Sequence, residues 1–212
     1  MSPAGGRLVT GLGITLAVVF AVSAIAQLLP AFVVLATGGA DVAGIDLMSR
    51  LREARALFAG ASPYALPAVY APYPPATYLF FGPLAALTDQ DARVLWALTT
   101  IPLLLALGWF AAVRAPGGMA MRVAALMLPF GFSGVAYGVQ QGQLHVHALA
   151  AVVGALALAA RPGASLPRDL AAGVLFALSL SKPTLTAPFF PLLLALPGRV
   201  RPAVVAALVY GA

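Results

Sequence analysis

Apolar residues run along this chain in long unbroken stretches, not in the alternation of a half-buried strand or the single stripe of a surface helix. The stretches cover 8–37, 76–88, 94–113, 121–138, 144–160, 169–181, 184–197 and 202–212. A helix needs about 20 residues to cross a hydrocarbon core of about 30 Å. The first stretch exceeds that length, whereas several others fall short of it. The pattern therefore predicts a mixture of spanning helices and tilted, broken or re-entrant ones. Pro30, Pro83, Pro102, Pro129, Pro183, Pro188 and Pro191 lie in or beside these stretches. Proline is tolerated inside a membrane helix where neighbours satisfy the carbonyl it frees. Residues 38–75 form the only long polar segment. Within it, Leu47, Leu51, Ala54 and Phe58 repeat at helical spacing. Asp46, Arg50 and Glu53 form the opposite stripe, flanked by Arg52 and Arg55. Residues 46–59 are thus expected to form an amphipathic helix lying in the membrane interface with its charges towards the headgroups. Gly60 is expected to end it from a C′ position.

Composition turns this pattern into a class. Hydrophobic residues make up 62% of the 212 and charged residues 8%, against about 45–50% and about 25% in soluble chains. So few charges cannot solvate a globular surface, and such hydrophobicity excludes an intrinsically disordered chain. The expected fold is all-α: a polytopic transmembrane helical bundle, read as a single transmembrane domain over 1–212. No internal repeat is visible, so an inverted-repeat transporter gains no support. The chain has no cysteine, which excludes a disulfide scaffold, thiolate metal sites and a cysteine nucleophile.

Charge placement suggests a topology. The formal net charge is +6, a balance that in a soluble protein would point to nucleic acid. Here the twelve basic residues are scattered and mostly flank apolar stretches. They read as anchors under the positive-inside rule, with no nucleic-acid partner. With Arg7 inside, 38–75 becomes an external loop, and Arg114–Arg122, Arg161–Arg168 and Arg199–Arg201 fall inside, provided 76–88 does not cross. The polar elements at 46–75, 139–147 and 182 then share the external side. Arg7 and Ala24-Ile25-Ala26 have the look of a signal peptide. The apolar stretch of about 30 residues is roughly twice a signal core, so it reads as an uncleaved first span. Val209-Tyr210-Gly211-Ala212 stops inside an apolar stretch, which suggests the N-terminal portion of a longer protein.

Several polar residues carry more than one reading. Residues 38–75 hold Asp41, Asp46 and Glu53, half of the acids in the chain. Asp46 suits an N-cap, a partner for Arg50 four residues on, or a general base. Tyr64, Tyr70 and Tyr73, with Pro72, Pro74 and Pro75, suit an interfacial aromatic belt or a rigid wall beside a sugar or lipid headgroup. Lys182 interrupts an apolar stretch. It reads as a functional cation or as a snorkelling side chain. His145 and His147 are two apart and do not share a helical face, so a two-histidine metal site is disfavoured. With Gln140, Gln141 and Gln143 nearby, they suit hydrogen bonds to a sugar or to the loop backbone, or the capping of a helix start.

These residues resemble a known family. Asp46-x13-Gly60-x2-Pro63-Tyr64, then Tyr73-Pro74-Pro75, Gly82-Pro83-Leu84-Ala85-x-Leu87 and Ala92-x3-Trp96 resemble glycosyltransferase family 87. Its members are integral-membrane GT-C enzymes similar to polyprenol-phosphate-mannose-dependent alpha-mannosyltransferases. Gly142-Gln143 resembles the family's Gly-Gln-x-Asn element, with His145 where Asn is usual. Ser181-Lys182-Pro183 resembles its Lys-Pro element. Leu47 stands where the family has Phe, the family's helix tyrosines are absent, and Tyr70-Ala-Pro-Tyr73-Pro74-Pro75 carries an extra residue.

The resemblance implies a GT-C-like fold and a catalytic Asp46. It implies a polyprenyl-phosphate-sugar donor, mannose by family habit, and a glycolipid or cell-envelope glycan acceptor. It also implies a multi-pass protein of the plasma membrane, surrounded by membrane lipids, with its active site on the external, periplasmic side. Asp46 would take the proton from the acceptor hydroxyl as that oxygen attacks the anomeric carbon, inverting configuration. Lys182 is the first candidate to hold the donor phosphate, with Arg50, Arg52 and Arg55 next. Tyr64, Tyr73, Gln143 and His145 are the candidates for sugar and acceptor contacts. No cofactor and no metal are expected. There is no D-x-D element, in keeping with a lipid-phosphate donor. A transporter or flippase of lipid-linked precursors, and a non-catalytic membrane subunit, are the competing classes.

Overall fold

Where water is absent, each backbone polar group needs a partner within the protein, and a helix supplies one at every residue. The computed structural model describes residues 3–39, 42–66, 73–163, 165–196 and 200–211. Among these it contains helices and connecting turns and no strand, so the fold is all-α. In chain order the helices are α1 (Pro3–Ser23), α2 (Leu29–Thr37), α3 (Ile45–Phe58), α4 (Pro75–Phe80), α5 (Gly82–Ala85), α6 (Asp89–Ala112) and α7 (Met119–Gly131). They continue as α8 (Ser133–Gln140), α9 (His145–Ala159), α10 (Leu166–Ser179), α11 (Pro183–Thr186), α12 (Phe190–Ala195) and α13 (Val200–Gly211).

Two helical stretches are long and apolar enough to cross a bilayer, Gly5–Thr37 and Asp89–Ala112. The first joins α1 to α2 through a π-helical turn at Ala24–Leu28. Two further candidates are bent pairs. The α7–α8 pair bends by 42°, and α10 with Pro183–Ala195 by 119°. Large apolar side chains face outward along the long helices, with Leu8 73% and Trp109 65% exposed. A soluble surface does not sustain apolar faces of this extent, and a bilayer covers them. The chain is a membrane protein.

The helices sort into two compact units. The first comprises Met1–Asp46 and Arg93–Gln143. Its helices touch through small residues. A side chain at Gly108 would run into the Leu126 carbonyl, and one at Gly131 would run into the Phe20 ring. A Cβ on Gly13 would lie 2.8 Å from the backbone of Ala120. This close approach is how membrane helices associate where lipid removes the hydrophobic drive. The Ser23 hydroxyl adds a bond to the Gly131 carbonyl at 2.7 Å.

The second unit comprises Leu47–Ala92 and Leu144–Ala212. Val152, Ala155 and Ala159 of α9, Ala172 and Phe176 of α10, Leu193 of α12, and Ala203 and Ala206 of α13 form its main apolar core.

Within the polar segment, the expected helix and its end are present. Helix α3 lies within one residue of the 46–59 reading. Leu47, Leu51 and Ala54 are fully buried, so protein covers most of the apolar stripe, while Phe58 stays 57% exposed. Gly60 follows with φ +77°, the left-handed conformation that glycine adopts without strain. Glu53 departs from expectation. It is 3% exposed instead of facing headgroups. Residues 75–85 form two helices of six and four residues. At about 1.5 Å per residue neither approaches the thickness of a bilayer core.

Candidate functional site

In the first unit, two helix ends meet head to tail. The Gly44 N–H donates to the Gln140 carbonyl at 2.8 Å, and the Asp46 N–H donates to the Gln141 carbonyl at 3.0 Å. The free donors that begin α3 thus meet the free acceptors that end α8. The turn that follows is closed by the Gln143 N–H on the Gly138 carbonyl at 2.8 Å, with Gly142 at φ +67°. This docking brings Asp46 to the Gln140–Gln143 turn, as the sequence motifs alone do not. Asp46 is the second residue of α3, not the residue before it. Its side chain is exposed. Among the described residues, its carboxylate has no hydrogen-bond or ion-pair partner. Neither structural reading of Asp46 therefore holds: it is not the cap, and Arg50 pairs elsewhere.

In the second unit, Arg50 reaches Glu53 with Nη1 to Oε2 at 2.6 Å. Its guanidinium carbon sits 4.6 Å from the centre of the Tyr73 ring. The Tyr64 hydroxyl donates to the Tyr73 carbonyl at 2.7 Å. The Tyr64 ring meets the Tyr78 ring edge-on at 6.0 Å. Tyr78 is fully buried near Glu53, and its hydroxyl makes no hydrogen bond among the described residues. Burial raises the Glu53 carboxyl above its usual 4.5, while the Arg50 charge, the Tyr78 hydroxyl and Arg52 pull it down. Burial first, and the Glu53 charge second, push the Tyr78 phenol up to about 12.

The arginines expected to serve together divide their work. Arg52 is exposed. Arg55 is tied into the fold. Its Nε donates to the Ala85 carbonyl at 3.0 Å, one Nη to the Leu87 carbonyl at 2.7 Å, and the other to Asp89 at 2.7 Å. Those carbonyls lie where α5 ends, and the guanidinium fork supplies the donors that a broken helix lacks.

Lys182 sits at the sharp reversal between α10 and α11, half-buried. The Thr186 hydroxyl bridges the carbonyls of Ser179 at 2.7 Å and Lys182 at 3.2 Å. The Thr77 hydroxyl donates to the Ser181 carbonyl at 3.2 Å. Lys182 lies near enough to His145 for its charge to act on the imidazole. Both ring nitrogens of His145 and the Ser181 hydroxyl are buried without a hydrogen-bond partner among the described residues. Buried polar atoms of this kind are rare unless water or a ligand meets them. Beside Ser181, a cleft of about 200 Å³ is walled by Leu79, Phe80, Leu178, Val209 and Tyr210. Among the described residues no cluster of three His, Asp or Glu could hold a metal ion.

Thus Arg50, Tyr64 and Tyr73 are brought together, as are His145 and Lys182, while Asp46 and the Gln143 turn meet through the backbone. Glu53, Tyr78 and Ser181 were not among the expected site residues. The i, i+3 spacing of Arg50 and Glu53 was the one signal available for them. Asp41, Tyr70, Pro72 and Arg199 lie outside the described residues.

Residues 70–212 match glycosyltransferase family 87. No curated protein and no solved structure matches the chain. The match covers two thirds of the sequence, including α4, the Gln140–Gln143 turn, His145 and the Lys182 reversal. With its apolar helices and its sugar-transferring family, the chain belongs to glycosyltransferase family 87 and is a membrane glycosyltransferase that acts on a sugar donor and an acceptor.

Proposed function

We propose that the protein moves a sugar, mannose in the first instance, from a polyprenyl-phosphate donor to a glycolipid or cell-envelope glycan, with inversion. The reaction takes place at the external face of the plasma membrane, where residues 38–75 form the first external loop. Asp46 is the general base. It takes the proton of the acceptor hydroxyl as that oxygen attacks the anomeric carbon. The electrons of the breaking glycosidic bond leave with the lipid phosphate, so a beta-linked donor gives an alpha product. Lys182 holds that phosphate, with Arg52 and Arg50 as further cations. Tyr64, Tyr73, Gln143 and His145 contact sugar and acceptor.

The observation that carries this reading is the Asp46 carboxylate at the head of α3, exposed and, among the described residues, without a partner. A carboxylate with this access can reach an acceptor hydroxyl and take its proton. The apolar cleft beside Ser181 supports a lipid-borne donor. Asp46→Asn tests the assignment in membranes supplied with polyprenyl-phosphate-mannose. Loss of the base is expected to slow transfer by about 10²–10⁴-fold while the protein accumulates and folds as the wild type does. Wild-type turnover by folded Asp46→Asn would remove Asp46 from the mechanism.

A further inference from the structure

In the first unit, α6 and α7 meet where Gly108 lies against the Leu126 carbonyl. Between that contact and the loop joining the two helices lies a cleft of about 220 Å³. Trp109 and Val113 wall it on one side, and Met119, Arg122, Val123 and Leu126 on the other. Trp109 and Val113 are four residues apart. Met119, Arg122, Val123 and Leu126 follow at i, i+3, i+4 and i+7, so each set shares one helix face. Trp109, Val113, Met119 and Val123 are exposed apolar side chains of the kind a bilayer covers. Hydrocarbon, not water, fills an apolar cleft in such a surface.

One wall of this cleft is charged. Arg122 is exposed, and among the described residues its guanidinium has no partner. The neighbouring Arg114 differs, because it folds back on α6. Its guanidinium carbon lies 3.5 Å from the centre of the Phe110 ring, and its Nη1 donates to the Phe110 carbonyl at 3.2 Å. No acid neutralises this end of the unit. Residues 1–40 and 92–168 contain none. Arg7 adds a further positive charge to the same end, since a methyl group on Gly117 would lie 3.5 Å from Val9.

We propose that this cleft binds an anionic phospholipid. One acyl chain lies between α6 and α7 against Trp109, Val113 and Val123, and Arg122 holds the headgroup phosphate. The planar guanidinium fork matches phosphate oxygens, and the apolar walls give the chain a seat that a free anion cannot use. A basic side chain beside a span ordinarily reaches for any headgroup. Here the cleft places the chain and the cation together, so one class of lipid is selected. Nothing in this site depends on the identity of the sugar donor.

The protein carries its own probe. Of its two tryptophans, Trp96 is buried and Trp109 is an exposed wall of the cleft. The full chain is reconstituted in vesicles of phosphatidylcholine and phosphatidylglycerol with matched acyl chains. One lipid or the other carries brominated chains, and quenching of tryptophan fluorescence is followed against lipid composition. Phosphatidylglycerol is expected to show about fivefold higher affinity, the worth of one basic side chain at a membrane surface. Arg122→Gln is expected to abolish that preference. Val113→Phe fills the cleft, leaves every charge in place and is expected to abolish it as well. Arg114→Gln is expected to keep it.

Equal quenching by the two lipids in the wild type would overturn the proposal, whether or not the variants fold. So would a preference that survives Arg122→Gln or Val113→Phe, because general attraction of a basic surface to anionic lipid needs no cleft and no particular arginine. Equal losses in Arg114→Gln and Arg122→Gln would likewise show a diffuse field in place of a site.

Discussion

Glycine brings helices close in both units, at Gly13, Gly108 and Gly131 in the first and at Gly173 in the second. In the second unit, however, hydroxyl and charged side chains also cap a series of broken helix ends. Gly13, Gly108 and Gly131 let long helices approach backbone to backbone. Where those helices end or bend, Ser23 and Arg93 bond the carbonyls of Gly131 and Gly38. In the second unit the helices are short and broken, at Phe81, at Ala86–Thr88 and at Leu180–Lys182. Each break frees carbonyls, and Arg55, Thr77 and Thr186 supply the missing donors. The contrast shows why so apolar a chain keeps its polar residues where it does. Irregular backbone at membrane depth survives only where protein satisfies it, and the same irregularity sets Lys182 and His145 among orphaned polar atoms.

The largest effect that would sharpen this contrast is at the Lys182 reversal. Lys182→Met is expected to raise the donor KM by about 10–100-fold, since a hydrogen bond to a charged group is worth about 1.5–3 kcal/mol. The cation at Arg55 serves as its internal control. Arg55→Met removes three structural donors and is expected to lower stability while leaving donor KM unchanged. An unaltered KM in Lys182→Met would make Lys182 a snorkelling residue. A smaller effect tests the first unit. Gly108→Ala drives a methyl group into the Leu126 carbonyl and is expected to cost about 1–3 kcal/mol through overpacking. Thermal unfolding in detergent measures it, with activity per folded molecule unchanged. A Gly108→Ala protein as stable as the wild type would show that glycine does not set that approach.

The parts of the fold readable in the sequence were those set by local pattern. The period of Leu47, Leu51 and Ala54 gave α3 and its buried stripe, and Gly60 gave its end. Proline and short length marked 76–88 and the Lys182 region as broken. What escaped was decided by partners far along the chain. Glu53 sits on the polar stripe by period, yet it is buried, close enough to Tyr78, twenty-five residues on, for the two to act on each other electrostatically. Arg55 looked like its neighbours Arg50 and Arg52. Its fate was set by the carbonyls of Ala85 and Leu87, some thirty residues downstream, which have no signature in side-chain sequence. Asp46 was picked out by motif. That its carboxylate is free of Arg50, and that its backbone docks on the Gln140–Gln143 turn, emerged only from the structure.

The central claim is that the sugar arrives on a lipid phosphate. One measurement tests it most directly: membranes carrying the protein receive polyprenyl-phosphate-mannose and nucleotide-linked mannose together, each with a different isotope. The account predicts that only the lipid-borne label enters the product, in alpha linkage, and that Asp46→Asn abolishes it. Label arriving from the nucleotide sugar in membranes depleted of polyprenyl phosphate would contradict it.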